Sequence, residues 1–266
     1  KRKLRLLELY KTPEEIYKLT KEELLNINGI GEAIAKEIII SKNEKILNYH
    51  IKYMKEKNIK IININEREYP QALKKIYDPP ISLYVKGNIE KLNNKNIGIV
   101  GCRECTTYGK KSAEYFAYNL SKQNINIVSG LAKGIDSYAH LGSLNNGNTI
   151  AVLGNGLDMI YPKENLELAN EIVKRGGTII SEYPCGTKPD KMKFPARNRI
   201  ISGISSGIIV IEAKEKSGTL ITVDFALEQG REVFVVPGNI NSINSVGTND
   251  LIKQGARLVT TYEDIS

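Results

Sequence analysis

Long apolar runs are absent from this sequence of 266 residues. Isoleucine-rich stretches such as residues 38–40 and 59–64 are interrupted within a few positions, whereas a membrane-spanning helix needs about 20 apolar residues. The N-terminal segment KRKLRLLELYK alternates like an amphipathic helix and lacks the apolar centre of a signal peptide. We therefore expect a protein that has no membrane span and works in the cytoplasm.

Cysteine and histidine are scarce, with three and two copies. Cys102 and Cys105 form a C-x-x-C pair, but Cys185 is the only further thiol, so a closed zinc site lacks its second pair of ligands. A thioredoxin-like pair would have to open a helix, which its position after a strand permits, but the loop is better explained as an anion clamp. The sequence predicts no metal and no cofactor.

Positive charge is in excess, with 38 Lys and Arg against 30 Asp and Glu, a formal net charge of +8 and a pI near 9.1. This balance favours a polyanionic partner, although many basic proteins bind no nucleic acid. The length allows one large domain or two unequal ones, each with room for a buried core.

Residues 1–62 have a helical pattern and are predicted to form a small all-α domain of the helix-hairpin-helix or SAM-like kind. Thr12 followed by Pro13, and Thr20 followed by Lys-Glu-Glu, are typical helix starts. The segment NINGIGEAIAKEIII then ends one helix and begins another around Gly29 and Gly31. Glycines here let backbone amides approach a phosphate, so both are candidates for a weak DNA contact. A helical hairpin used only for packing is the alternative.

Residues 63–266 are predicted to form a DNA-binding domain with a Rossmann-like fold. After a connecting region with one short strand, SLYVKGN, seven strands alternate with helices: IGIVG, INIVSG, TIAVLGNG, TIISEY, GIIVIEA, EVFVVPG and RLVTT. Such alternation indicates an α/β fold, an extended parallel sheet with helices on both faces. Ligands of such sheets bind at the carboxyl ends of the strands, where this chain places many Gly and Ser residues.

Three segments follow these strand ends. GCRECTTYG supplies backbone amides and Arg103 for a phosphate. SGLAKGIDSYAH supplies Lys133 beside glycines, while Asp136 is expected to cap the next helix and His140 to serve packing or lie on the helix surface. GNGLDM lacks the third glycine of a dinucleotide fingerprint, so dinucleotide binding is not predicted.

Residues 181–220 combine more of these features than any other stretch. Before the strand GIIVIEA they hold one aromatic residue among five cations, namely Phe194 with Lys188, Lys191, Lys193, Arg197 and Arg199. No helix is predicted for this basic segment, because its two arginines flank Asn198 instead of spreading along a helix face. After the strand, SGTL has the build of a helix N-terminus that receives an anion. A solvated basic loop before an ordinary core strand is the alternative.

Together, the motifs GCR-x-x-TTYG, SGLAKGID-x-x-AH, GNGLD-x-x-YP, SEYP-x-G-x-x-P, FPARNRIISGIS, SGTLIT and VFVVPGN resemble the DNA-processing protein A family, also called Smf. The resemblance runs from about residue 69 to residue 265. It implies a single-stranded-DNA-binding protein of natural transformation and competence, which protects incoming strands and loads a RecA-type recombinase, usually as a homodimer. No catalytic reaction is implied. Cys102 stands where the family has a serine, so a weaker donor faces the phosphate.

The predicted DNA- and phosphate-binding residues come from the resemblance and from the strand-end segments. They are Gly101, Arg103, Ser129, Gly130, Lys133, Lys191, Phe194, Arg197, Asn198, Arg199, Ser217, Gly218 and Thr219. For Arg199, an ion pair with Glu182 or Glu212 remains open as a structural alternative.

Two other functions remain open at this point. The Ser-Gly-Thr turn, with Asp224 and Glu228 on the helix that it opens, resembles the nucleoside-monophosphate phosphoribohydrolases. Those enzymes use a PGG-x-GT turn, whose paired glycines this chain lacks, and an acid held near the ribose. The other alternative is a nucleotide-sensing module on the same fold.

Overall fold

The computed structural model describes residues 2–10 and 12–265, and the chain divides into two compact units, Lys1–Asn58 and Ile59–Ser266. The first unit is all helical. Its helices are α1 (Arg2–Leu9), α2 (Pro13–Lys18), α3 (Lys21–Leu25), α4 (Glu32–Ser41) and α5 (Glu44–Glu56). Its small core consists of Leu6, Leu19, Leu24, Ile27, Ile30 and Ala35.

The predicted helix starts of this unit are confirmed. The Thr12 hydroxyl accepts a hydrogen bond from the Glu15 amide, 3.3 Å, at the start of α2. Thr20 and Glu23 form a reciprocal capping box at the start of α3, with bonds of 2.7 and 3.2 Å. Each such cap stabilises a helix end by about 1 kcal/mol, which matters for helices this short.

The hairpin between α3 and α4 turns at Gly29, whose φ of +94° lies in the left-handed region that favours glycine. Gly31 is the N-cap residue of α4. The two glycines therefore shape a helix–turn–helix hairpin, as their spacing predicts. Their contact with DNA stays a prediction.

The second unit is built on one nine-stranded sheet with the order β1-β2-β6-β5-β4-β3-β7-β8-β9. The strands are β1 (Ile59–Asn63), β2 (Ser82–Gly87), β3 (Asn96–Val100), β4 (Asn126–Ser129), β5 (Thr149–Leu153), β6 (Thr178–Ser181), β7 (Gly207–Val210), β8 (Glu232–Val235) and β9 (Arg257–Leu258). Strands β3 to β9 pair in parallel, while β2 pairs antiparallel with both β1 and β6. All residues of β3, β4, β5, β6 and β7 are buried. Burial on both faces explains their continuous Ile and Val runs.

Helices cover both faces of this sheet, which confirms the predicted Rossmann-like architecture. They are α6 (Gln71–Lys74), α7 (Thr107–Lys122), α8 (Ile135–Leu144), α9 (Leu166–Lys174), α10 (Lys193–Ile204), α11 (Gly218–Glu228) and α12 (Val246–Lys253). Helix α8 contacts α7 and α9, and α10 contacts α6 and α11. Crossovers between parallel strands are right-handed. The chain therefore runs from β3 through β4 and β5 to β6 with its connecting helices on one face of the sheet. It then returns to β7, beside β3, and runs through β8 to β9 with its connecting helices on the other face. None of the described helices is long and apolar enough to cross a membrane.

Two features differ from the sequence-based expectation. The sheet begins at Ile59, within the stretch assigned to the helical domain, because Ile59–Asn63 forms an edge strand that pairs antiparallel with β2 and is buried only in part. The basic segment before β7 is helix α10, Lys193–Ile204, and not a loop. Its last five residues, 200–204, are buried, so tertiary packing overrides the poor helix propensity of its Pro, Gly and Ser residues.

Candidate nucleic-acid interface

A groove opens where the strand order reverses, between the neighbouring parallel strands β3 and β7. The loop after β3 leads into α7 and the loop after β7 leads into α11, so the two chain segments diverge from the carboxyl ends of their strands. This is the usual ligand position in an open α/β sheet. The groove has a volume of about 610 Å³. Its walls include Gly101, Arg103, Tyr161, Lys191, Phe194, Arg197, Asn198, Lys214, Lys216, Ser217, Gly218 and Thr219.

The loop after β3 is fixed on both sides of Arg103. The Cys102 amide donates to the Glu212 carbonyl, 2.9 Å, and the Cys102 carbonyl accepts from the Ile135 amide, 3.1 Å. Beyond Arg103, the Thr106 amide donates to the Glu212 carboxylate, 2.9 Å. Arg103 itself is exposed and lines the groove. A loop held by these backbone bonds thus presents one exposed guanidinium, while the Cys102 amide, expected to serve an anion, is already bonded within the protein.

Cys102 lies beneath this loop with 5% of its surface exposed. Burial raises the pKa of its thiol, so the group is neutral at neutral pH. At this position of the loop, a buried neutral thiol offers an anion only a weak donor.

Arg197 is a buried cation in the floor of the groove, with 5% exposure. Its Nη1 donates to the Gly130 carbonyl at 2.6 Å and to the Val152 carbonyl at 2.5 Å. Burial lowers the pKa of Arg197, the charge of Asp136 raises it and the charge of Arg103 lowers it. Arg197 is therefore a fixed structural cation that also faces the ligand space.

Asp136 is the electrostatic partner of Arg197. Its carboxylate accepts hydrogen bonds from the amides of Gly130, 3.1 Å, and Ala132, 3.3 Å. Burial raises the pKa of Asp136, whereas the charge of Arg197 and these amide bonds lower it. Asp136 thus binds the loop before α8 and not the helix N-terminus that it was expected to cap. At Gly130, a Cβ atom would lie 2.1 Å from the Arg197 Nη1, so only glycine fits beside this guanidinium.

Arg199 lies outside the groove, contrary to the prediction that it contacts DNA. Its Nη2 donates to both oxygens of Glu182, at 2.9 and 2.8 Å, and its Nε lies 3.4 Å from Asp78. Two positions apart on a helix, Arg197 and Arg199 point about 200° away from each other. Because the segment is a helix, Arg197 lines the groove while Arg199 forms an ion pair within the protein. The ion pair of Arg199 with Glu182 is the alternative that the sequence left open.

Phe194 forms an aromatic surface with Tyr161, a residue that the sequence prediction did not include. The two rings stack with centroids 5.6 Å apart and an angle of 18° between their planes. Gly154 lets the Phe194 ring approach β5, because a Cβ there would lie 2.9 Å from the ring. Tyr161 is 50% exposed, so the surface is open to a ligand. The signal for Tyr161 in the sequence was its place in the GNGLD-x-x-YP motif.

The N-terminus of α11 forms the opposite wall. Ser217 is its N-cap residue and accepts a hydrogen bond from the Thr219 amide at 3.2 Å. The positive end of the helix dipole therefore points into the groove beside Gly218. Lys214 and Lys216, which the sequence prediction also missed, add charge here, and Lys214 reaches the exposed Glu104 at 3.2 Å.

Of the remaining side chains in the strand-end segments, Ser129 and His140 do not face the groove, whereas Lys133 lines a small cavity beside it together with Arg103, Tyr161 and Phe194. Ser129 is fully buried and donates to the Ile99 carbonyl, 2.7 Å. Lys133 pairs with Glu164 at the surface, 2.8 Å. His140 is buried and bonds Thr149, 2.7 Å, and burial lowers its pKa to about 3, so it serves packing. Asp224 and Glu228, the acids that an enzyme would need, do not line the groove.

Comparisons with known proteins point to the same family as the sequence motifs do. The model of the family described as DNA recombination-mediator protein A matches residues 60–266. The DNA processing protein DprA of Bacillus subtilis is 47% identical over 79% of this chain and 71% of its own length. The DprA of Streptococcus pneumoniae is 40% identical over 96% of this chain and 97% of its own length.

Solved structures agree in fold. The crystal structure of Streptococcus pneumoniae DprA superimposes with a TM-score of 0.85 and 39% identity, covering 98% of this chain and 90% of that one. The Helicobacter pylori DprA structure, described by its single-stranded DNA binding mode, gives a TM-score of 0.71 and 32% identity over 78% of this chain and 93% of that one. The chain therefore belongs to the DNA recombination-mediator protein A family and has a role in DNA processing and recombination.

Proposed function

We propose that this chain binds single-stranded DNA in its groove, shields the strand in the cytoplasm and passes it to a RecA-type recombinase during natural transformation. The observation that carries the proposal is the convergence on one groove of the exposed Arg103, the buried Arg197, the α11 N-terminus and the Tyr161–Phe194 surface. Lys191, Lys214, Lys216 and Asn198 also line it, together with two acids, Glu104 and Asp136.

The charges of the groove favour a phosphate. Arg103 and Arg197 lie close enough that Arg103 lowers the pKa of Arg197, so the two guanidinium groups repel each other in the free protein. An anion bound beside both would relieve this repulsion and take hydrogen bonds from Arg103. The N-terminus of α11 adds its dipole on the other side. A phosphate is the charged group that a DNA backbone offers here.

The aromatic surface favours a single strand. Bases of a single strand can lie flat on an aromatic ring, whereas the paired bases of a duplex are already stacked. Phe194 and Tyr161 supply such rings beside the cations. Stacking on a ring is tolerant of sequence because every base has a π-face. We therefore expect little base preference.

This account predicts that single-stranded oligonucleotides bind more tightly than duplexes of equal length. A gel-shift or fluorescence-anisotropy titration at physiological salt measures both affinities. An excess of about 5- to 150-fold for the single strand is expected, because one base–aromatic stack contributes about 1–3 kcal/mol. Equal affinity for the two forms would contradict the proposal.

We also propose that the chain works as a homodimer, which would double the length of the DNA path. Sedimentation velocity at micromolar concentration is expected to show the dimer as the main species. A monomer alone at that concentration would contradict this part of the proposal. The transfer to a recombinase is tested separately, by RecA filament assembly on a strand that is already coated with single-strand-binding protein.

A further inference from the structure

Helix α7 carries an exposed stripe of tyrosines and lysines that the groove does not use. The stripe consists of Tyr108, Lys111, Tyr115, Tyr118 and Lys122. At 100° per residue, these five positions fall within an arc of about 80°, so their side chains leave the helix on one side. With a rise of 1.5 Å per residue, the stripe is about 21 Å long.

The three tyrosines are exposed in a way that packing does not explain. Tyr108, Tyr115 and Tyr118 are 50%, 41% and 45% exposed. The face of α7 that packs into the core consists of Ala113, Phe116, Ala117 and Leu120 and includes none of the three tyrosines. The Tyr108 hydroxyl donates to the Pro237 carbonyl at 2.8 Å, and Tyr115 lies edge-on to Tyr262 at 6.2 Å. The rings of Tyr108 and Tyr115 are thus oriented by contacts with their neighbours, while part of each ring remains exposed to solvent.

The charges of the stripe are positive. Among the described residues, no carboxylate pairs with Lys111 or Lys122, and both lysines are exposed. Lys110 points to another side, where it lies 4.5 Å from the centre of the Tyr138 ring. Two acids lie near the stripe: Glu114, a partly exposed residue of α7 itself that lies at the edge of the stripe, and Glu263, which raises the pKa of Tyr262 through a hydrogen bond. The interleaving of rings and unpaired cations is complementary to bases alternating with phosphates.

The stripe begins five residues along the chain from Arg103 of the groove. The loop that presents Arg103 runs directly into α7, whose N-cap residue Thr106 is held by the Glu212 carboxylate. Tyr108 follows two residues later. A strand that leaves the groove past Arg103 and the Glu104–Lys214 ion pair would meet Tyr108 next, and then the rest of the stripe along the helix.

We propose that the tyrosine–lysine stripe of α7 is a second tract for single-stranded DNA, which extends the path that begins in the groove. The proposal rests on the proposed function of the groove. At the 3.4 Å spacing of stacked bases, the stripe adds room for at most about six nucleotides. The tyrosines take bases and the two lysines take phosphates, again without reading sequence.

The test compares oligothymidylates of about 6 and about 20 nucleotides, the short one filling the groove alone and the long one reaching the stripe as well. Two variants of the full chain remove parts of the stripe: Lys111→Gln with Lys122→Gln, and Tyr118→Leu. A matched control, Lys60→Gln with Lys75→Gln, removes two exposed lysines that lie outside both the groove and the stripe. Affinities are measured at several salt concentrations.

For the long oligonucleotide, the lysine pair is expected to flatten the salt slope by about 1.4, which is 0.7 for each lost phosphate contact. Tyr118→Leu is expected to weaken binding by about 5- to 150-fold at an unchanged slope, the loss of one stacked base. The short oligonucleotide and the control pair are expected to show no change.

Long-oligonucleotide binding that is unchanged in both stripe variants would overturn the inference while leaving the groove proposal intact. Equal losses for short and long oligonucleotides would also overturn it, since the variants would then act through the fold. If the unaltered chain bound neither oligonucleotide, the proposed function itself would fail and the inference with it.

Discussion

Replacing Arg197 by methionine is expected to lower the free energy of unfolding by about 3–5 kcal/mol at neutral pH. The side chain is 5% exposed, and its Nη1 donates to the carbonyls of Gly130 and Val152. Methionine keeps the length of the side chain but leaves both carbonyls without this donor. It also leaves the buried Asp136 carboxylate without its cation. Urea denaturation followed by circular dichroism measures the loss.

The loss should depend on pH in a defined direction. Burial already raises the pKa of Asp136, and Arg197 counteracts that rise, so Arg197→Met raises the pKa further. An acid whose folded pKa exceeds its unfolded value binds more protons in the folded state, and stability therefore falls as pH rises through that window. In the variant the window extends to higher pH. The deficit relative to the unaltered chain is expected to be smaller at about pH 5 than at about pH 8.

Lys191→Met is the matched control, because Lys191 lines the same groove but is exposed. A change within about 0.5 kcal/mol is expected there, as for most surface substitutions. If Arg197→Met cost less than about 1 kcal/mol, or cost the same at both pH values, the buried Arg197–Asp136 pair would not hold the loop as described.

Replacing Arg103 by alanine is expected to weaken the binding of every single-stranded sequence alike. Arg103 is the exposed guanidinium of the groove, on a loop whose backbone is fixed by bonds to Glu212 and Ile135. Losing a charge-assisted hydrogen bond costs about 1.5–3 kcal/mol. Losing one phosphate contact should flatten the salt slope by about 0.7. Anisotropy titrations at several salt concentrations measure both quantities.

Phe194→Ala separates stacking from charge in the same assay. Its expected loss is about 1–3 kcal/mol with a nearly unchanged salt slope, because a ring neutralises no phosphate. Arg175→Ala is the control for a lost arginine, since Arg175 is the C-cap residue of α9 and pairs with Glu171 outside the groove. If Arg103→Ala and Phe194→Ala both bound like the unaltered chain while remaining folded, the groove would not be the DNA site.

The sheet could be predicted from sequence because its central strands are short, continuous apolar runs, which burial on both faces requires. The segments between them show the different, helical spacing of apolar residues. Strand β1 was missed because IKIIN, an edge strand, follows a helical segment and shows only partial burial. The antiparallel addition of β1 and β2 to the sheet depends on long-range pairing, which no local pattern contains.

Helix α10 shows why the site could be predicted only in part. Its residues include the groove-lining Arg197 and Phe194, but no helix was predicted there, because the two arginines flank Asn198 instead of spreading along a helix face. Without the helix, the opposite directions of Arg197 and Arg199 could not be derived. The helix places the first under the groove and the second against Glu182.

Tyr161 and Lys216 were missed for a different reason. Tyr161 lies on a loop remote in sequence from the basic segment, and only the convergence of strand ends brings it to the groove. Lys216 lies within residues 181–220 but after β7, and the end of that strand brings it to the same groove. Ser129 was assigned to the site because it ends a strand, as many ligand-binding serines do. Its hydroxyl is instead used by the neighbouring strand, on the Ile99 carbonyl.

The most direct test of the account is a crystal structure of this chain with a bound oligothymidylate of about six nucleotides. The account predicts a phosphate within hydrogen-bonding distance of Arg103, beside the α11 N-terminus at Gly218, and a base lying on the Phe194 or Tyr161 ring. An oligonucleotide bound elsewhere on the molecule, with the groove unoccupied, would contradict it.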